Sequence, residues 1–285
     1  CILPLTFIVP TAPLPVKHDS ARAEQEAQTV LIMQGERRNS RLQYMYEPVM
    51  TSLRMGFNNS KYNLTLLLPA VTRRYVETLR ENMAKLKRGD ILVWLGVNGK
   101  DEFLEVAKAS RSRSLFMRDK RVFDLDSVRG RGVRVVYYQS EPTANCQVLR
   151  WDVDEMWDFS WHNIKHCERN PDAPLLRYVP LAAYPTGVTR QGGRPGALLF
   201  LGTPRARPCW ATLSRALGHR LKAVYTAWTD DTYQKVLDAH NIFLNLQKSC
   251  IGGGPITFRN AKLLNAHALI VSQHVHPEDE REYDG

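Results

Sequence analysis

Apolar residues occur in short runs rich in β-branched and aromatic side chains, and these runs alternate with longer stretches of helical spacing. "TVLIMQG" (29–35) predicts a strand ended by glycine, and "SRLQYMYEPVMTSLRMGF" predicts a helix interrupted near Pro48. "VTRRYVETLRENMAKLK" (71–87) predicts a long helix that runs straight into a strand, "GDILVWLGVNG" (89–99). "GVRVVYYQSEP" (132–142) predicts another strand, stopped by Pro142. "DVDEMWDFSWHNIKHCER" (152–169) has acids where the first turn of a helix favours them, so it predicts a helix, with Trp157 and Trp161 on one face. "PLLRYVPLAAYP" predicts extended chain.

"PTGVTRQGGRPG" (185–196) has the composition of a linker. The alternation then restarts. Strands are predicted at 197–202, 221–225, 241–246 and 269–273, with helices at 208–217 and 230–240 and after the glycine stretch at 252–254. Strands alternating with helices predict parallel sheets. The expected fold is α/β, with two doubly wound, Rossmann-like domains facing a cleft, at 1–185 and 186–285. Four strands make the second domain short, which reads as a fragment or a short variant.

Composition agrees with a packed chain: 44% of the 285 residues are apolar and 24% are charged. No apolar run approaches the roughly 20 residues that span a bilayer. Five cysteines, odd in number and without a CxxC, predict free thiols and a reducing, cytoplasmic compartment. The start at Cys1 leaves an upstream anchor or signal open. Charge is uneven. Residues 1–150 hold 24 Lys+Arg against 15 Asp+Glu, a net of +9, and the rest hold 15 against 14, a net of +1. A basic face attracts nucleic acid, anionic membrane or an acidic substrate, although a solvated surface is the plainer account.

Two loops carry candidate chemistry. "GGGPITFRNAKLLNAHALIVSQ" (252–273) runs from glycines into a helix start. Unpaired N–H groups there favour an anion, and Gly253 and Gly254 permit close backbone approach. Thr257 is a candidate cap, the alternative being a Gly254 cap with Pro255 as the first helical residue. Arg259 in the first turn opposes the helix dipole unless an anion is present. Lys248 lies just before the loop. "LLFLGTPRAR" places Gly202, Thr203, Arg205 and Arg207 after another strand, so both loops are expected on one sheet edge. Neither is a Walker loop or a GxGxxG.

"LLFLGTPRAR", "NIFLNLQKSC" and, most specifically, "TFRNAKLLNAHALIVS" resemble the donor-binding half of GT-B-fold glycosyltransferases. "VVYYQSEP" and "VPLAAYP" resemble the end of the acceptor half and the crossing between halves. The resemblance covers roughly residues 130–280. It implies a nucleotide-sugar site made by Gly202, Thr203, Arg205, Lys248, Gly253, Gly254, Thr257, Arg259, Asn260 and Gln273. It also implies transfer to a hydroxyl acceptor without a metal or other cofactor. The donor would be a UDP or GDP sugar. The family pattern often has an acid before "TFR" and ends the last strand in Ser-Glu, where this chain has Ile256 and Gln273. Gln273 would hydrogen-bond ribose hydroxyls more weakly than a glutamate. Lys248 and Arg259 would stabilise the departing diphosphate. An inverting enzyme also needs a base, for which Glu141 is the first candidate, ahead of Glu36 and Asp101. The basic N-terminal half points to an anionic acceptor.

Three other readings compete. One is a non-catalytic nucleotide- or nucleic-acid-binding protein, with nucleic acid the less expected partner. Another is a metal-dependent GT-A-type transferase using Asp152 and Asp154, or the similar pair Asp124 and Asp126. The third is zinc chemistry at His162 and His166, or at His274 and His276. HExxH is absent and neither histidine pair reaches four ligands, so structural histidines are expected there.

Overall fold

The computed structural model describes residues 28–34, 40–58, 63–67, 73–96, 125–139, 153–180, 197–225, 230–247 and 257–280. The protein is α/β, and its strands form two parallel sheets. The first sheet contains β1 (Thr29–Gln34), β2 (Asn63–Leu67), β3 (Ile91–Gly96), β4 (Arg134–Gln139), β5 (Glu155–Asp158) and β6 (Leu175–Tyr178). Its order is β2-β1-β3-β4-β5-β6. The second contains β7 (Leu198–Leu201), β8 (Leu221–Val224), β9 (Ile242–Asn245) and β10 (Leu269–Ser272), in the order β10-β9-β7-β8.

The apolar runs are continuous because both faces of each sheet are covered. On the first sheet, Leu31, Met33, Leu92, Trp94, Val135 and Tyr137 face one side, where α2 (Arg73–Lys85) supplies Leu79 and Met83. Val30, Ile32, Val93, Leu95, Val136 and Tyr138 face the other, where α1 (Ser40–Asn58) supplies Val49, Met50 and Leu53. α1 runs unbroken through Pro48, contrary to the expected interruption. Its proline costs a backbone hydrogen bond, but the buried Val49, Met50 and Leu53 next to it hold that turn on the sheet. The second sheet repeats the scheme. Leu199, Phe243 and Ile270 pack with Leu237 of α6 (Asp230–Ala239) and Leu263 of α7 (Thr257–Asn265). Phe200, Leu244 and Leu246 pack with Trp210, Leu213 and Leu217 of α5 (Trp210–Leu217).

Carboxylates tie strand starts together. Asp90 accepts from the Thr29 and Lys87 amides, both at 2.8 Å. Asp154 accepts from the Val135 amide at 2.7 Å and from Arg129 Nε, on α3 (Leu125–Gly130), at 3.0 Å. This corrects one expectation. Residues 152–169 are not one helix: β5 pairs with β4 and β6, and only α4 (Trp161–Cys167) is helical. Asp154 clamps the start of β4, and Asp152 and Asp124 lie outside the described residues. Trp157 and Trp161 consequently part company. Trp157 Nε1 donates to Glu155 Oε2 at 3.0 Å, and Trp161 stacks on Tyr178 at 4.5 Å.

Among the described residues, helices join the two sheets. α1 packs against α7, and the short α8 (Pro277–Glu280), which follows β10, packs against α4 of the first sheet. Cys167 and Cys209 are disulfide-bonded. That corrects the free-thiol expectation and removes the ground on which the reducing compartment rested. Among the described residues, no helix is long and apolar enough to cross a membrane.

Candidate functional site

In the second sheet the chain leaves β7 toward β8 on one side and later returns to place β9 on the other. Parallel sheets bind ligands beyond the carboxyl ends of strands at such a change of direction. The loops leaving β7 and β9 are the two singled out in the sequence, and the strands they leave are neighbours. Gly202 ends β7 with φ 146°, a value that favours glycine, and its amide donates to Val224 O at 2.9 Å. Thr203 and Arg205 are exposed, in and beside a single 3-10 turn at Pro204–Ala206. The Arg207 guanidinium lies 5.9 Å from the centre of the Phe200 ring.

Lys248, Gly253 and Gly254 lie outside the described residues, as do Glu141, Glu36 and Asp101. Thr257 and Arg259 fall in the first turn of α7, with side chains outside the described set.

The residues on either side of the glycine stretch are the most informative. Gln247 is 1% exposed and Asn260 is 4% exposed. Gln247 Nε2, Gln247 Oε1 and Asn260 Oδ1 are buried without a hydrogen-bond partner. Leaving such a group unpaired costs about 1–3 kcal/mol, so orphans of this kind call for a specific cause. Here three atoms flank one loop at the switch point. Asn260 was among the residues implied by the resemblance. Gln247 was not, and its signal was slight: a glutamine at a strand end, next to Lys248.

Gln273 follows β10 and is buried. Its Oε1 accepts from the Gln247 amide at 3.2 Å, and its own amide donates to Asn245 O at 3.0 Å. Asn245 Nδ2 donates to Ser272 Oγ at 3.0 Å, and that hydroxyl donates to Gln273 O at 2.9 Å. The oxygen expected to meet a ribose hydroxyl is thus engaged in holding β10 to β9.

A second polar cluster lies where α8 meets α4. Asp158 ends β5, and its Oδ1 accepts from the Ser160 amide at 2.9 Å and from Asn163 Nδ2 at 3.2 Å. Burial pushes the Asp158 carboxyl well above the ordinary carboxylate range, and the nearby Asp279 adds to the shift. Asp279 is itself pushed up by burial, against the hydrogen bonds it accepts. Burial also raises the Tyr138 phenol, whose hydroxyl donates to Val179 O at 3.1 Å. The histidine patterns 162/166 and 274/276, separate in sequence, converge here. The His162 and His276 rings stack at 3.7 Å, and His166 lies 6.4 Å from His162.

Asp158 gives a pH prediction. Its folded pKa exceeds its unfolded value, so the fold binds the proton more tightly than the open chain does. Stability falls as pH rises from the unfolded value, about 3.9, through the raised folded one. Asp158→Asn removes that slope and keeps an acceptor for Ser160. Urea melts across pH should show a flatter profile for the variant above about pH 4; parallel profiles would refute the assignment.

No known protein family matches the chain, and no curated protein sequence matches it. Among solved structures the chain is similar to one described as "Native KDPGal structure", at 9% identity, with 87% of this chain and 100% of that chain covered and a TM-score of 0.23. A likeness that slight carries no argument about chemistry.

Proposed function

We propose that the protein is a GT-B-type glycosyltransferase that takes a nucleotide-diphosphate sugar at the β7/β9 edge and passes the sugar to a hydroxyl acceptor. The observation that carries this reading is the set of unpaired buried polar atoms of Gln247 and Asn260 around the glycine loop. A ligand rich in donors and acceptors would satisfy them, and a nucleotide diphosphate is one. The pairing of β7 with β9, the strands that run into Gly202 and toward Lys248, supports the same reading.

The chemistry follows from charge. Sugar transfer breaks the bond between the anomeric carbon and the diphosphate oxygen, and negative charge collects on the leaving group. Amide groups at the start of α7, with Lys248, Arg259 and Arg205, stabilise that charge without a metal in this reading. Glu141, which follows β4, takes the acceptor's proton if the reaction inverts. The excess of positive charge in the first half suits an anionic acceptor.

A thermal-shift panel of UDP-, GDP- and dTDP-sugars, with and without EDTA, tests the reading. A ligand present at 100 times its Kd adds about 2.7 kcal/mol of stability. The expected result is a rise in Tm with at least one nucleotide sugar, undiminished by EDTA. No rise with any of them would sink the reading, and a rise lost in EDTA would replace it with metal-dependent donor binding.

A further inference from the structure

His162 sits on α4, while His276 and Glu278 lie 114 and 116 positions later at the start of α8. One ligand atom from each lies within 4.8 Å of the others. Glu278 Oε2 is 3.6 Å from His162 Nδ1 and 3.8 Å from His276 Nδ1. Those separations are long for charge-assisted hydrogen bonds, which close to about 2.7–2.9 Å. They reach or slightly exceed the spacing of about 3.3–3.6 Å between atoms that share one tetrahedral ion at 2.0–2.2 Å, and the two rings, stacked at 3.7 Å, must splay apart to aim both lone pairs at one ion. Glu278 Oε1 is held by Lys165 Nζ at 2.9 Å, which leaves Oε2 directed at the two rings. An outer partner of this kind fixes a ligating carboxylate in place. His276 Nδ1 accepts the Glu278 amide at 3.3 Å, a long bond that an ion on Nδ1 would supplant. All three side chains are about one-third exposed, so an ion can reach them.

We propose that His162, His276 and Glu278 bind one divalent transition-metal ion of the zinc class, which clamps α8 to α4. Two imidazoles and one carboxylate are a donor set that zinc accepts, with the fourth position left to water. Calcium and magnesium, which require oxygen ligands, do not suit it. The ion joins the segment after the last strand of the second sheet to the first sheet, through side chains that the glycosyltransferase reading does not use. The proposal therefore stands or falls independently of the glycosyltransferase reading.

The test uses the full chain stripped with EDTA and then dialysed free of it. Titration with Zn²⁺ in competition with a chromophoric chelator should give one equivalent bound, and the bound ion should raise Tm. Co²⁺ should give the intense visible absorption of a tetrahedral site. His162→Ala, His276→Ala and Glu278→Gln should each weaken binding at least tenfold, whereas His166→Ala should leave it unchanged. The Co²⁺ spectrum needs no variant, so a misfolded mutant cannot shelter the proposal. Absence of a tetrahedral spectrum, binding well below one equivalent, or unchanged affinity in the His162→Ala and His276→Ala proteins would overturn it.

Discussion

Gln247→Met and Asn260→Leu should each make the ligand-free protein more stable and its nucleotide binding weaker. Both replacements roughly keep side-chain size and delete the buried polar atoms that have no partner. Removing an unsatisfied buried group relieves about 1–3 kcal/mol, an amount that shifts a urea midpoint measurably. The same substitution removes the donors and acceptors proposed for the ligand. Losing even one such bond, worth about 1.4 kcal/mol, weakens binding tenfold. Urea melts of the ligand-free proteins and thermal shifts with UDP are the two measurements. Gain in one and loss in the other is the signature of residues kept for binding rather than for folding. If both variants are instead destabilised and the UDP shift survives, buried water satisfies these groups and they are part of the scaffold.

Asp279→Ala should detach the end of the chain from the first sheet. The carboxylate accepts from Ser160 Oγ at 2.9 Å and from the His162 amide at 3.3 Å. Ser160 is the N-cap of α4, and its hydroxyl also accepts from the Asn163 amide at 3.2 Å. Asp279 thus reinforces the cap of a helix 117 residues earlier in the chain, placing a carboxyl where the first-turn amides of a helix favour it. Alanine leaves these buried donors unpaired, and the expected loss is about 2–4 kcal/mol. Asp279→Asn keeps one acceptor oxygen and should lose less. Limited proteolysis near residue 280 should quicken in the alanine variant before global unfolding does. Equal cleavage rates and an unchanged urea midpoint would show that the tail is held by other contacts.

The strands read from the pattern, β1, β3, β4 and β7 to β10, were legible because each is a short apolar run bounded by glycine, proline or polar residues. β2, within "KYNLTLLLPA", and α3 were not singled out. β5 was misread for a physical reason. Its acids at 154, 155 and 158 imitate the first turn of a helix, yet each serves a tertiary contact: Asp154 clamps β4, Glu155 accepts from Arg177 Nε at 2.8 Å, and Asp158 shapes the turn into α4. The edges that parallel pairing offers on β4 and β6 outweigh the local preference. At the candidate site, the loops after β7 and β9 were legible as glycine and basic residues at strand ends. The engagement of Gln273 and the burial of Gln247 were not, since both depend on which strand lies beside which.

The sequence by itself determined the α/β class, the alternation that makes its sheets parallel, and the presence of glycine and basic residues after two of the strands. These are matters of local periodicity and residue chemistry, and neighbours along the chain suffice to express them. Tertiary structure alone decided that those two strands are adjacent and that Asp279 caps α4. It alone stacked His276 on His162 and placed Cys167 and Cys209 in disulfides. Such contacts join positions far apart in the chain, and sequence separation says nothing about distance until the sheets have formed.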